Sequence, residues 1–375
     1  MADWDPHPIV QWELTRLCDQ HCRGCPTGAG AQRDSNELST YEAYKTIDQI
    51  TALGPRELII TGGDPLERED VYQIVDYARR RGLDPALVLT PGRDLTSEAM
   101  ARLRKNGLTR VVFSLDGSTA AIHEPVHMVP GTFARTLEAM RWAESAGLGI
   151  EVNTLVLRSN AGDLEAIAAL LRPLGISRWN VHFLVPTGPS RELEMITAAE
   201  VERVFETLEE IRARERFPLR IVEAPHYRRF RVQRILQSRL ASDSLEWRDF
   251  TGYESGDNGA GEVLGSALDG VRSFVYVSHA GDVRPSEFVP HRAGNLRYRD
   301  LGVIYRGSDL FVALRNPDNL TGKCRHCEFR ILCGGSRARA YAMTGNLFGS
   351  DPLCAYEPAA QTNIPLATRM READT

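Results

Sequence analysis

Residues 57–65 read Glu57-Leu-Ile-Ile-Thr61 and then Gly62-Gly-Asp-Pro65. A short apolar, β-branched run that stops on turn residues predicts a buried strand with an abrupt end. The two glycines allow close backbone approach and unusual dihedrals at that end. The same grammar recurs on both sides. Residues 9–15, 86–90, 110–114, 150–156 and 179–185 also read as strands. Helical patterns lie between them, with visible start signals. Ser39-Thr-Tyr-Glu42 and Thr197-Ala-Ala-Glu200 are capping boxes, in which the hydroxyl and the carboxylate satisfy free N–H groups. The second opens a helix whose Val201, Val204, Phe205, Leu208 and Ile211 share one face. Repeated strand–helix alternation predicts an α/β protein with parallel strands and helical crossovers. Both a doubly wound sheet and a barrel satisfy that pattern.

The chain has 375 residues, 42% hydrophobic and 25% charged, with a formal net charge of −5. That length suggests two domains, or one large domain with an appendage. The charge gives no electrostatic footprint for nucleic acid. Met1 to Pro8 has no apolar segment of the signal-peptide kind, and no apolar run approaches membrane-spanning length. We therefore expect a cytoplasmic protein without a membrane partner. Beyond the sixth strand, residues 218–240 form another unit with a basic stretch, His226, Arg228, Arg229, Arg231 and Arg234. This stretch is a candidate for binding a carboxylated substrate, or simply a solvated basic helix face. Residues 251–270 are rich in Gly, Ser and Asp and read as a linker. Residues 272–278 with the turn His279-Ala-Gly-Asp282 predict a β-hairpin, and a helical stretch follows near 301–315.

The seven cysteines fall into two groups with none left over: Cys18, Cys22 and Cys25, then Cys324, Cys327, Cys333 and Cys354. Clustered cysteines in a cytoplasmic protein read as metal-binding rather than as disulfides. Cys18-x3-Cys22-x2-Cys25 directly follows the first strand. Three thiolates can wrap one metal centre and leave a coordination position open, the mark of a reactive site. Iron–sulfur and zinc both suit such ligands. Four thiolates close a shell, so a structural zinc is a full alternative at the second group.

The three-cysteine spacing resembles that of the radical S-adenosylmethionine (SAM) superfamily, whose CxxxCxxC lies after the first barrel strand. Gly62-Gly-Asp-Pro65 resembles that superfamily's GGEP segment, with an Asp for the usual Glu. Ser114-Leu-Asp-Gly117, ending the fourth strand, resembles its SLDG segment, and Asn153 lies in a VNT similar to its ribose-contacting segment. Each could be an ordinary turn or strand exit. Together they decorate strand ends in the family's order, at the face where parallel barrels carry their active sites. The tail, from Cys324-Arg-His-Cys327 through Cys333-Gly-Gly-Ser-Arg-Ala-Arg-Ala-Tyr341 to Asp351-Pro-Leu-Cys354, resembles the SPASM/Twitch extension. It is most similar to the branch of the alternative-haem-pathway decarboxylases and dioxo-haem maturases. The resemblance runs from Trp12 to Pro358.

The resemblance implies a partial (β/α)6 TIM barrel over residues 8–215, a bridging region over 216–270 and a SPASM/Twitch domain over 271–362. It implies a radical-generating 4Fe–4S cluster on Cys18, Cys22 and Cys25, and SAM contacts from Gly62, Gly63, Asp64, Pro65, Ser114, Asp116 and Asn153. It also implies one auxiliary 4Fe–4S cluster on Cys324, Cys327, Cys333 and Cys354; Arg337 and Arg339 read either as groups that neutralise or hydrogen-bond it or as ordinary surface arginines. Reductive cleavage of SAM would give a 5′-deoxyadenosyl radical, which abstracts hydrogen from a carboxylated small molecule, tetrapyrrole-like or a natural-product intermediate. Oxidation or decarboxylation follows, with the auxiliary cluster as electron acceptor and a flavodoxin or ferredoxin as electron donor. A ribosomal-peptide maturase and a zinc-stabilised binding protein are the competing expectations. The sequence departs from relatives at Gly24, at Thr90-Pro-Gly92, and at Ser286 where many have a cysteine. In the segment His123-Glu-Pro-Val-His127-Met128, His127 is the one place left for the family's basic group.

Overall fold

Strand β1 (Ile9–Glu13) is the axis of the molecule, because strands from both ends of the chain pair with it. The computed structural model describes residues 7–20, 22–25, 28–92, 94–240 and 273–358. The linker expected at 251–270 lies outside them. After β1 come α1 (Thr40–Leu53), β2 (Glu57–Thr61), α2 (Val71–Arg80), β3 (Pro85–Val88), α3 (Ser97–Lys105) and β4 (Arg110–Ser114). Helices α4 (Ala120–His127) and α5 (Thr132–Ser145) lead to β5 (Gly149–Val156), α6 (Leu164–Leu171), β6 (Arg178–Phe183), α7 (Ala198–Arg214), β7 (Leu219–Val222) and α8 (His226–Leu240). The last part contributes β8 (Phe274–Val277), β9 (Asp282–Arg284), β10 (Gly294–Asn295), α9 (Leu301–Gly307), α10 (Asp309–Arg315), α11 (Lys323–His326) and α12 (Arg337–Thr344).

Among the described residues, one sheet holds all ten strands, in the order β10-β9-β8-β1-β2-β3-β4-β5-β6-β7. Every pairing from β1 to β7 is parallel, as is β1 with β8, whereas β8–β9 and β9–β10 are antiparallel. Residues of β1 through β8 line a single cavity, so the sheet curls around it as an open, partial barrel. The six strands expected from periodicity are present. β7 and β8 extend the same sheet, β7 as a four-residue strand too short to signal itself. The hairpin expected near residue 280 is β8–β9.

Local chemistry accounts for the elements. Ser39 with Glu42 and Thr197 with Glu200 form complete capping boxes on α1 and α7. The apolar faces of α1 and α7 join a core built around the fully buried Trp12, Phe113, Trp179, Phe183 and Phe205. Val275, Val277, Ile304, Tyr305 and Phe311 of the C-terminal part belong to that same core. A small second cluster of Val185, Val289, Leu314, Ala338 and Leu347 lies apart from it. The C-terminal part is thus welded to the barrel by shared apolar burial.

The far end of the barrel interior is closed by charge. Glu57 accepts from Arg110 (3.2 Å), Arg178 (2.9 Å) and Arg220 (2.7 Å), and Glu151 accepts from Arg110 and Arg178, both at 2.7 Å. Burial works against the Glu57 carboxylate, but the three guanidiniums outweigh it and hold its pKa down to about 2, from the ordinary 4.5. The network's stabilisation is therefore complete above pH 4.5 and fades as pH falls from there toward 2. Replacing Glu57 by Gln leaves buried guanidiniums undercompensated. We expect a loss of roughly 3 kcal/mol near neutrality and a shallower fall of stability through that acid window than in the parent chain. Urea melts of both chains at several pH values check this.

Candidate active site

The loop after β1 lies directly on the turn after β2. Gly63 N donates to Thr15 O (2.8 Å) and Asp64 N to Leu17 O (2.7 Å). A Cβ on Gly62 would sit 2.6 Å from Thr15 O, and one on Gly63 would sit 2.3 Å from Leu17 O and 2.8 Å from Cys18 Cβ. No side chain fits there, so the glycines are required by approach rather than by dihedral angle.

This contact delivers Cys18, Cys22 and Cys25 to one cavity of about 310 Å³. Two of the sulfurs already accept backbone N–H groups: Cys18 from Gln20 and Cys25 from Ala29, each at 3.4 Å. Burial pushes the Cys18 thiol up to about 12. Its thiolate needs a neighbouring cation, which a bound metal supplies.

His127 stands behind the third sulfur. Its Nε2 lies 2.8 Å from Asp116 Oδ2 and its Nδ1 3.7 Å from Cys22 Sγ. Leu155 N donates to Asp116 Oδ1 (2.6 Å), and the His123 ring stacks on His127 at 4.1 Å. Burial alone would lower the imidazole pKa, but the bonds to Asp116 and Cys22 prevail and raise it to about 10. Hence His127 is the basic group in this segment, and it serves a cysteine sulfur and Asp116.

The structure brings together most of the expected SAM contacts. Gly62, Gly63, Ser114, Asp116 and Asn153 line the cavity with the three cysteines. Asp64 and Pro65 are not on its lining. Asp64 is fully buried, caps the short turn Pro65–Glu67 through Leu66 N, and keeps Oδ2 without a hydrogen bond among the described residues. Burial raises its pKa to about 7.

The lining also includes residues that motif reading missed. Glu151, Asn180, His182 and Arg220 point inward from β5, β6 and β7. Asn180 donates to Asn153 Oδ1 (2.9 Å). Their signal was a polar residue at every second place of otherwise apolar strands. Glu223, Ser286 and Glu287 complete the wall on the C-terminal side. Glu287 accepts from Gln11 (2.7 Å), and burial pushes its carboxyl up to about 8.

Cys324, Cys327, Cys333 and Cys354 line a second, small cavity with His226, Arg229 and Lys323. Gly335 N donates to Cys333 Sγ (3.3 Å), and Arg337 Nη2 lies 4.0 Å from Cys324 Sγ. Arg339, by contrast, faces away. It is fully buried, binds both oxygens of Asp351, and donates to the carbonyls of Phe183, Leu184 and Glu223. It clamps the tail to the ends of β6 and β7.

The basic stretch of α8 does not reach the large cavity. Arg228 donates to Leu332 O (3.2 Å), Arg229 pairs with Glu202, Arg231 pairs with Glu209 (3.2 Å), and Arg234 is exposed. The expected carboxylate site there is replaced by ion pairs and by the small cavity.

A model of the Radical SAM superfamily matches residues 12–171. AdoMet-dependent heme synthase of Methanosarcina barkeri is 34% identical over 351 residues, covering 93% of this chain and 97% of that one. The chain belongs to the radical SAM superfamily. PqqA peptide cyclase of Bradyrhizobium diazoefficiens is 26% identical over 380 residues, covering 98% of this chain and 90% of its own. Among solved structures, SuiB of Streptococcus suis with bound S-adenosylmethionine has a similar fold, with TM-score 0.68 at 15% identity, covering 93% of this chain and 77% of that one.

A radical SAM enzyme uses SAM and a 4Fe–4S cluster, and the donor set fits both. Three thiols surround one cavity, N–H groups aim at two sulfurs, and a held imidazolium backs the third. Among the described residues, no helix is long and apolar enough to cross a membrane.

Gly63→Ala tests the close approach. We expect a loss of about 1–3 kcal/mol, because the methyl meets backbone, whereas Gly162→Ala, with open space around it, stays near neutral. Thermal melts of the two variants beside the parent check this.

Proposed function

We propose that this radical SAM enzyme acts on a carboxylated tetrapyrrole and removes a side-chain carboxylate by oxidative decarboxylation. Cys18, Cys22 and Cys25 hold the first cluster. Gly62 and Gly63 admit SAM against the backbone, and Ser114, Asp116 and Asn153 line its pocket. Asp64 and Pro65 support the turn from behind. Cys324, Cys327, Cys333 and Cys354 hold an auxiliary 4Fe–4S cluster as the acceptor of the substrate's remaining electron. The carrying observation is the 34% identity to a heme synthase along 93% of the chain. The peptide cyclase covers as much of the chain at 26%.

When bound, the first cluster and SAM together supply a 5′-deoxyadenosyl radical. The protein contributes position and field. The interior, floored by the ionic network, holds the reacting carbon against the cysteine end. Arg220 is the one guanidinium on the described lining. Glu57 holds Arg220 from the floor, and Arg110 and Arg178 are paired with Glu57 and Glu151, so Arg220 is the guanidinium that the interior presents to a substrate carboxylate. His127 keeps a positive charge beside Cys22.

The test is anaerobic reconstitution of the full chain, then SAM, dithionite and Fe-coproporphyrin III. We expect roughly eight irons per chain, two four-iron clusters' worth, production of 5′-deoxyadenosine, and a porphyrin lighter by CO2 and two hydrogens. Cys18→Ala should abolish 5′-deoxyadenosine, whereas Cys327→Ala should keep it and lose the decarboxylated product. 5′-Deoxyadenosine without porphyrin turnover sinks the tetrapyrrole reading. Stoichiometric zinc at the four-cysteine site sinks the auxiliary cluster.

A further inference from the structure

His226 opens α8 and is fully buried. It lines the four-cysteine cavity, yet neither ring nitrogen has a hydrogen-bond partner among the described residues. Its ring packs against Phe205 at 5.1 Å, which fixes its place but not its polarity. Asp351 Oδ2 is 3.7 Å from Nδ1, beyond hydrogen-bond reach. That carboxylate is also already engaged. Its Oδ2 accepts from Ser336 N (2.8 Å) and Arg339 (3.0 Å), and its Oδ1 accepts from Arg339 and Leu353 N, both at 3.1 Å. Burial holds the imidazole neutral, its pKa lowered to about 3, so it carries one N–H.

A buried N–H with no acceptor is a standing cost to the fold. The other polar side chains on this cavity are guanidinium, ammonium, phenol and thiol groups, and no carboxylate lies among the described lining residues. Apart from the phenol oxygen of Tyr356, the acceptors these side chains offer are the four sulfurs and what they hold. A four-cysteine iron–sulfur cluster is anionic and presents sulfide and thiolate sulfurs, all acceptors. We propose that His226 donates a hydrogen bond to a sulfur of the group at the four-cysteine site and thereby raises its reduction potential. This inference rests on the auxiliary-cluster reading above. A donor to sulfur stabilises the more negative, reduced state, so its loss makes reduction harder. His226 is a positioning and tuning residue here, not a ligand.

The experiment uses the full chain with Cys18, Cys22 and Cys25 all replaced by Ala, so that only the second site titrates. Iron analysis comes first. Without about four irons per chain, the auxiliary-cluster reading fails, and this proposal fails with it. With iron present, a redox titration followed by electron paramagnetic resonance compares His226 with His226→Leu and His226→Gln. We expect His226→Leu to make reduction at least tenfold less favourable, a fall of 59 mV for a one-electron couple, and His226→Gln to recover most of it. In the reduced chain carrying 15N-labelled histidine, a weak nitrogen coupling should be present and vanish in His226→Gln. This measurement also decides the matter if the leucine chain fails to hold iron. An unchanged potential in an iron-replete leucine chain, no histidine coupling, or a coupling of the strength of direct iron–nitrogen ligation each overturns the proposal.

Discussion

Two carbonyls, Thr15 O and Leu17 O, each take an N–H from the turn after β2, and the active site hangs on that contact. It is possible only because Gly62 and Gly63 have no side chain, since a Cβ at either would enter the opposite backbone. The contact fixes the path of the loop that carries Cys18, Cys22 and Cys25, and thus where the thiols meet the strand ends. Arg68, buried, donates to Leu14 O in the same loop and pairs with Glu37 and Asp70. A surface loop would not hold three soft ligands in register. One hydrogen-bonded to the neighbouring strand end does.

The barrel interior is unusually polar for a protein core, and its charges survive burial because they answer one another. Glu57 and Glu151 satisfy three guanidiniums at the floor, and Asp116 satisfies His127 near the mouth. Removing one member leaves its partner charged and dry, which costs far more than the pair contributes. Polar groups inside leave room for a polar substrate and a sulfonium cofactor. Apolar burial is displaced to the outside of the sheet, under the helices.

One small cluster of side chains lies between the large cavity and the four-cysteine tail. Glu223 ends β7 with a positive φ of 57°, uncommon for a residue with a side chain. Arg339 binds its carbonyl and Ser336 Oγ donates to its carboxylate, so the conformation is held from both ends. Glu223 faces the large cavity. Ser336, three residues past Cys333, caps α12 and donates its N–H to Asp351. Substrate wall and four-cysteine site therefore share a rigid boundary.

The sequence by itself determined the alternation of strands and helices, both capping boxes, the two cysteine groups and the glycine turn. These are local signals, carried by periodicity, spacing and turn chemistry within a few residues. Tertiary structure decided the rest. It turned Arg228, Arg229 and Arg231 toward fixed partners instead of a substrate, made Arg339 a clamp rather than a cluster neighbour, and set Asp64 behind the pocket. It also gathered Glu57, Arg110, Glu151, Arg178 and Arg220, residues of five different strands far apart in the chain, into one floor. No spacing rule joins such residues. They meet because a curled parallel sheet points every second side chain at a common axis, and only the pairing register decides which ones arrive together.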